Sequence, residues 1–204
     1  NYKKNIIFFD VGEPPRKDFS KSYQSGPLSF EYYCDNEKII TNCGFGKYIS
    51  PKAELLSRLT STQSTVTLND SSVTRFERNK LINRVFGNSI RNTFKIKTFS
   101  VHEDKEIIEV IASHNGYEKT FGCIHERRIV FDKKKNKLIG QDKISKKNSN
   151  KSQRYSLRFH LYPGLSAVKT MSGNSALIQL TKNKSLIFLV KDEKITLDKG
   201  IFLG

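Results

Sequence analysis

No apolar run in this sequence is longer than a few residues, as in IIFF at 6–9. A membrane-crossing helix needs about 20, so no segment qualifies as one. A charged-then-apolar leader is also missing. The chain opens on Asn1 without methionine and reads as a piece of a longer protein. Cysteine is scarce. Cys34, Cys43 and Cys123 are an odd set without C-x-x-C spacing, which excludes the usual zinc and disulfide frameworks. They read as reduced, packed residues, and a Cys34–Cys43 pair across adjacent strands stays open until geometry decides it. The glycine turn GFG at 44–46 has no following helix with Lys-Ser/Thr, so it is not a phosphate loop. No Ser-His-Asp arrangement follows from spacing, and no cofactor motif is present.

Positive charge is abundant. Thirty-six Lys and Arg against twenty Asp and Glu give a formal net charge of +16. Such an excess favours polyanions: acidic polysaccharide, nucleic acid or an acidic protein face. Frequent Asn, Lys and Ile also fit compositional drift in an AT-rich genome. Nucleic acid is the weaker partner, because the basic runs at 133–137 and 146–154 carry no interleaved aromatics for stacking. At 204 residues one sizeable domain is expected, burying roughly 70% of its unfolded surface without covalent staples.

The dominant rhythm is that of strands. Short apolar or alternating runs recur roughly every 8–12 residues, divided by Gly, Asn, Asp and Lys clusters. FKIKTFSV (94–101), KEIIEVIAS (105–113), EKTFGCIHERRIVF (118–131), LIGQDKI (138–144) and SLRFHLY (156–162) read as strands, with HNGY as an Asn-Gly turn. SAVKTM, SALIQL, SLIFLV and KITL continue the series. Two short helices are expected, at 51–60 behind Pro51 and at 77–86. The segment 146–154 reads as a polar loop. The fold expectation is all-β: a large antiparallel β-sandwich with one or two short helices.

In PLSFEYY, Leu28, Phe30 and Tyr32 share one face, and Ser29, Glu31 and Tyr33 the other. KIITNCG follows as its hairpin partner, and STQSTVTLND (61–70) is a third polar-then-alternating segment. Gln24, Asn42 and Gln63 occupy matching positions relative to these strands.

The succession DVGEPP, GPLSFEY, IITNCG, STQSTVTLNDSS, SHNGYEKTFGCIHERRIVF, GQDKI, SLRFHLYPG and FLG resembles the C-terminal β-sandwich domain of heparinase II/III-like proteins. It is most similar to a branch found in alphaproteobacteria. The resemblance implies that 1–204 is that domain, a fragment lacking the N-terminal α/α toroid that would be its partner in the same parent chain. Full-length members resemble polysaccharide lyases, which cut uronic-acid-containing chains by β-elimination. This implies an acidic polysaccharide partner and a parent in the periplasm or cell envelope.

In the family, the stretch matching 22–30 reads roughly His-x-His-Ala-Asp-x-x-Ser-Phe. The first His lies at the reaction centre. The second joins an Asp and a further His around a metal. Those positions here are Ser22, Gln24, Asn42 and Gln63, with Gly26 in place of the Asp. Amides neither titrate near neutral pH nor supply an anionic ligand, and zinc prefers thiolate, imidazole or carboxylate. Gln24, Asn42 and Gln63 are therefore expected to form a degenerate metal site, holding no metal and surviving as a neutral polar brace. The candidate catalytic residues are Ser22, His114 and Tyr117. Gln24, His125, Arg127 and His160 are the candidate substrate-binding residues. Arg127 is expected to fork a sugar carboxylate or sulfate, and His114, Tyr117, His125 and Arg127 to converge on one surface. A structural role in the core is the competing expectation for each histidine. Two functions follow: the β-domain of a lyase-like protein, inactive alone, or a non-catalytic acidic-glycan-binding or structural module.

Overall fold

The computed structural model describes residues 4–77, 79–146, 152–180 and 184–204. The strands are β1 (Ile6–Phe9), β2 (Phe30–Cys34), β3 (Glu37–Thr41), β4 (Val66–Leu68), β5 (Ile96–Glu103), β6 (Ile107–His114), β7 (Cys123–Asp132), β8 (Lys137–Lys146), β9 (Tyr155–Leu157), β10 (His160–Leu161), β11 (Ser166–Lys169), β12 (Ser175–Gln179) and β13 (Ser185–Leu189). Three short helices join them: α1 (Pro51–Ser57), α2 (Lys80–Phe86) and α3 (Glu118–Phe121). The all-β expectation holds, with one more short helix than foreseen.

The ladders are antiparallel. They run β1-β2-β3-β10, β5-β6-β7-β8, β11-β12-β13 and β4-β9. Strand β2 alternates strictly: Phe30, Tyr32 and Cys34 are buried, while Glu31 and Tyr33 reach outward. Its inner face packs with Ile39 and Ile40 of β3, Ile129 of β7, and Ile178 and Leu180 at β12, which forms the main core between the sheets. A second core gathers Val66, Leu68, Val73, Phe94, Tyr117 and Cys123.

Helix α1 follows from its start signals. Ser50 caps it by accepting from the Ala53 N–H, and Pro51 occupies the first turn, where its missing N–H costs nothing. Helix α2 begins on Asn79, which accepts from Leu81 and Ile82.

The structure departs from the sequence reading at three places and decides a fourth point left open. The tight turn expected at HNGY is extended by α3, which Gly122 ends at φ +67, so β7 begins at Cys123 rather than at 118. SLRFHLY is two strands: β9 pairs β4, and β10 crosses to pair β3. KITL (194–197) has no ladder partner and is not a strand, although Ile195 N–H donates to Gly173 O. Cys34 and Cys43 cannot meet. Cys34 pairs Glu37 at one end of the β2–β3 hairpin, and Cys43 lies six residues further along, about 20 Å at 3.3 Å per residue. All three cysteines are free and buried. Of the expected polar loop at 146–154, residues 147–151 lie outside the described residues.

An amide-lined cleft over a buried histidine relay

The three amides expected to form a degenerate metal site come together. Gln24, Asn42 and Gln63 line one cleft of about 350 Å³ with Phe8, Phe9, Asp10, Gly26, Ser29 and Glu31. The amides do not bond to one another. They share backbone carbonyls: Gln24 Nε2 donates to Gly44 O at 2.6 Å and Ser57 O at 3.1 Å, and Gln63 Nε2 donates to Ser57 O at 2.8 Å. Asn42 Oδ1 accepts from the Ser64 N–H at 2.9 Å. The brace anticipated from the sequence is built through Ser57 at the end of α1. Gly26 is required by space, since a Cβ there would stand 2.9 Å from Ser29 Oγ and 3.0 Å from Gln63 Cγ.

This donor set does not fit a zinc ion. The amide NH₂ groups of Gln24 and Gln63 are spent on carbonyls, leaving neutral oxygens where the metal wants imidazole or anionic ligands. Among the described residues, no three His, Cys, Asp or Glu side chains converge as a metal site. Two carboxylates do line the cleft. Glu31 is neutralised by Lys38 at 2.8 Å and also accepts from Thr41 and the Asn42 N–H. Asp10 accepts from the Gly12 N–H, and burial pushes its carboxyl pKa up, against the lowering by that bond. Among the described residues, no lysine or arginine lines the cleft.

Ser22 does not line it either; it is exposed in the preceding turn. His160 is half-buried on β10, its Nε2 3.3 Å from Ser61 O, and burial lowers its pKa.

The remaining four candidates do converge, but inside the sandwich. His114, Tyr117, His125 and Arg127 are each at most 1% exposed. The cause is register. His114 stands opposite His125, and Arg127 opposite Asp142, so the alternation of β7 puts both on the inner row with Ile129 and Phe131.

Their hydrogen bonds form a directed relay. The Gly116 N–H donates to His114 Nδ1 at 3.0 Å, so His114 carries its proton on Nε2 and donates to His125 Nδ1 at 3.2 Å. His125 then donates from Nε2 to Asp142 Oδ1 at 2.6 Å. Both imidazoles are thereby neutral, and burial lowers both pKa values. Arg127 grips the same carboxylate through Nε at 2.8 Å and Nη2 at 3.2 Å. Burial pushes the Asp142 carboxyl up, but Arg127 and His125 outweigh it and hold its pKa at about 2.

The last Arg127 nitrogen, Nη1, donates to Leu28 O at 2.6 Å and Ser64 O at 2.8 Å. The fork expected to hold a sugar carboxylate is therefore filled by Asp142. The surface expected of these four residues is an interior clamp, one that holds two backbone carbonyls beside the cleft. Tyr117 donates to Val66 O at 2.9 Å, and its ionisation is pushed up by burial.

Sequence reasoning missed Asp142, although the motif GQDKI containing it was noted. It also missed Arg58, a fully buried guanidinium. Arg58 donates to Ser20 O and Tyr23 O, and its charge lies 4.3 Å from the centre of the Phe76 ring. Burial lowers its pKa to about 10.

Among known proteins, FtsZ-localized protein C of Caulobacter vibrioides (strain NA1000 / CB15N) is 28% identical over 187 residues, 87% of this chain and 31% of that protein. Heparan sulfate lyase HepC from Pedobacter heparinus superposes with a TM-score of 0.67 at 13% identity, over 90% of this chain and 25% of its own. A heparinase III structure gives 0.63 at 14% identity, again over 90% of this chain and 25% of that one. At such identities these two show the shared fold. The chain thus spans about a third of the curated relative and a quarter of either solved structure. The family model described as heparinase II/III-like, C-terminal, matches residues 1–204, and the chain belongs to that family, which is related to polysaccharide lyases.

Proposed function

We propose that this chain is a non-catalytic β-sandwich module of a polysaccharide lyase-like protein. β-Elimination needs a base for the proton α to the uronate carboxylate, a positive group to hold that carboxylate as the enolate forms, and a proton for the leaving oxygen. One observation carries the proposal: the cleft presents amides where a metal would need charged ligands, while His114 and His125 are buried and do not line it. Among the described residues, no cationic side chain lines the cleft to neutralise a uronate. Chemistry by the parent, on uronic-acid-containing glycans, would then rest on its helical domain. Acidic polymer would be held, if by this domain, through the basic exterior that gives the +16 charge. A periplasmic or envelope location belongs to the same proposal, because such polymers lie outside the cytoplasm.

The test incubates the full-length protein, and this chain alone, with uronate polymers and follows the ultraviolet absorbance of unsaturated products. This chain alone gives no rise. A rise from this chain alone refutes the non-catalytic reading. Retention on immobilised heparin that falls as salt increases supports the exterior contact.

A second reading, a protein-docking module, is favoured by the relative named FtsZ-localized protein C. Co-sedimentation with polymerised FtsZ tests it, and absence from the pellet removes it.

A further inference from the structure

The polarity of the cleft is specific. Both Nε2 protons of Gln24 and both of Gln63 are committed to Gly44 O, Ser57 O and Thr62 Oγ1. Their Oε1 atoms take no hydrogen bond among the described residues, and neither does Asp10 Oδ2. Asn42 Nδ2 reaches only Ser29 Oγ, at 3.5 Å, so the lining offers more free acceptors than donors: both glutamine NH₂ groups are spent. A carboxylate or sulfate carries only acceptors and would face the Asp10 carboxylate and two glutamine oxygens, with only the Asn42 NH₂ and the Ser29 hydroxyl to pair it among the described residues; desolvating it so is costly. A sugar hydroxyl donates. The same cleft is walled by Phe8, whose ring is 59% exposed and braced edge-on by Tyr33 at 5.9 Å, and by Phe9. An aromatic wall suits the C–H face of a sugar ring. A volume of about 350 Å³ lies at the small end of ligand pockets.

We propose that this cleft binds an uncharged, hydroxyl-rich saccharide ring, held by the Gln24, Gln63 and Asp10 oxygens and stacked on Phe8. The site discriminates against the uronate chains that related lyases cut. It rests on the carbohydrate-handling reading above and narrows its ligand.

The experiment is calorimetric titration of the full-length protein and its Phe8→Ala and Asp10→Asn variants with maltohexaose, cellohexaose and hexagalacturonate. A neutral oligosaccharide binds, and Phe8→Ala weakens it about tenfold, the loss of one aromatic contact. Phe8 is exposed, so unfolding curves that match the parent's show that the variant is folded. Asp10→Asn turns an acceptor into a donor and so raises affinity for hexagalacturonate. Neutral binding that Phe8→Ala leaves unchanged overturns the proposal, as does hexagalacturonate binding that Phe8→Ala weakens as much as it weakens the neutral sugars. Calcium alone binding with a heat that Asp10→Asn abolishes would assign the acceptors to a cation and also overturn it. Heparin retention without neutral-sugar binding overturns this cleft assignment and leaves the wider reading standing. Loss of both overturns both.

Discussion

Replacing Asp142 by Asn tests the buried relay most directly. Arg127 is 1% exposed, and its charge is balanced by the Asp142 carboxylate alone among the described groups that touch it. The substitution keeps size and one acceptor oxygen. It removes the negative charge and puts an NH₂ group against either the guanidinium or the His125 Nε2–H. Breaking a buried pair by removing one partner costs about 3–5 kcal/mol, because the remaining charge stays desolvated. A domain holds only about 5–15 kcal/mol in total. With an m-value of about 2 kcal/mol/M in urea, the unfolding midpoint falls by about 1.5–2.5 M. A paired variant, Arg127→Met with Asp142→Leu, removes both charges and costs far less than the two single losses summed. It also gives a readout if Asp142→Asn fails to fold. A midpoint shift under about 0.5 M for Asp142→Asn, the scale of a surface pair, would refute the argument that this carboxylate balances a desolvated guanidinium.

Three further outcomes follow from the same structure. His114 and His125 have pKa values lowered by burial, so the unfolded chain takes up protons that the folded one refuses. Stability is then full above the unfolded value near 6.5 and falls as pH drops below it, by up to about 1.4 kcal/mol per pH unit for each histidine. Urea midpoints at pH 7.5 and 5.0 measure this, and equal midpoints would contradict it. Gly44 sits at φ +82, and a Cβ there would lie 2.3 Å from Gly204 N, where Leu203 N–H already bonds Cys43 O. Gly44→Ala should free the segment 201–204, read as faster hydrogen exchange at Leu203. Cys34, Cys43 and Cys123 are buried and their thiol pKa values are pushed up by burial. A thiol reagent should find none of them in the native protein and three in denaturant.

Much of the fold was legible because it depends on period. PLSFEYY alternates from Phe30 onward, and the structure buries Phe30 and Tyr32 as that alternation requires, whereas Leu28 and Ser29 precede β2 and are both buried. CIHERRIVF carries the same signal. Cys123, Ile129 and Phe131 mark one face as inner, and His125 and Arg127 share that face. They were read as surface residues because ionisable side chains are seldom buried without partners. The partner was Asp142, and only the β7–β8 register brings it opposite Arg127. Register is a pairing property that no single strand displays. The break in SLRFHLY has a similar origin: its two halves serve β4 and β3, which lie in different ladders. Helix α3 was hidden because Asn115-Gly116 is a strong turn signal, while the αL residue that ends the helix, Gly122, lies six residues beyond Gly116. In the cleft, the amide chemistry was legible but its anchor was not, since the Ser57 carbonyl is placed by α1 ending there.

The cleft and the relay respond differently to substitution for one physical reason. At Gln24, Asn42 and Gln63 the polar groups face a cleft edged by backbone, so a neutral side chain finds a carbonyl or an N–H and the fold survives the exchange of charge for amide. Arg127 has no such latitude. Its three nitrogens span Asp142 on β8, Leu28 O before β2 and Ser64 O before β4, and so tie three segments at one buried charge. Leu28 is held at φ +58, a conformation costly for a branched side chain, one turn from Gly26 and Ser29 in the cleft wall. Arg127 thereby ties the backbone next to Ser29 and Gln63 of the cleft wall. Chemistry at the cleft surface can therefore change while Arg127 and Asp142 cannot be separated without loss of both.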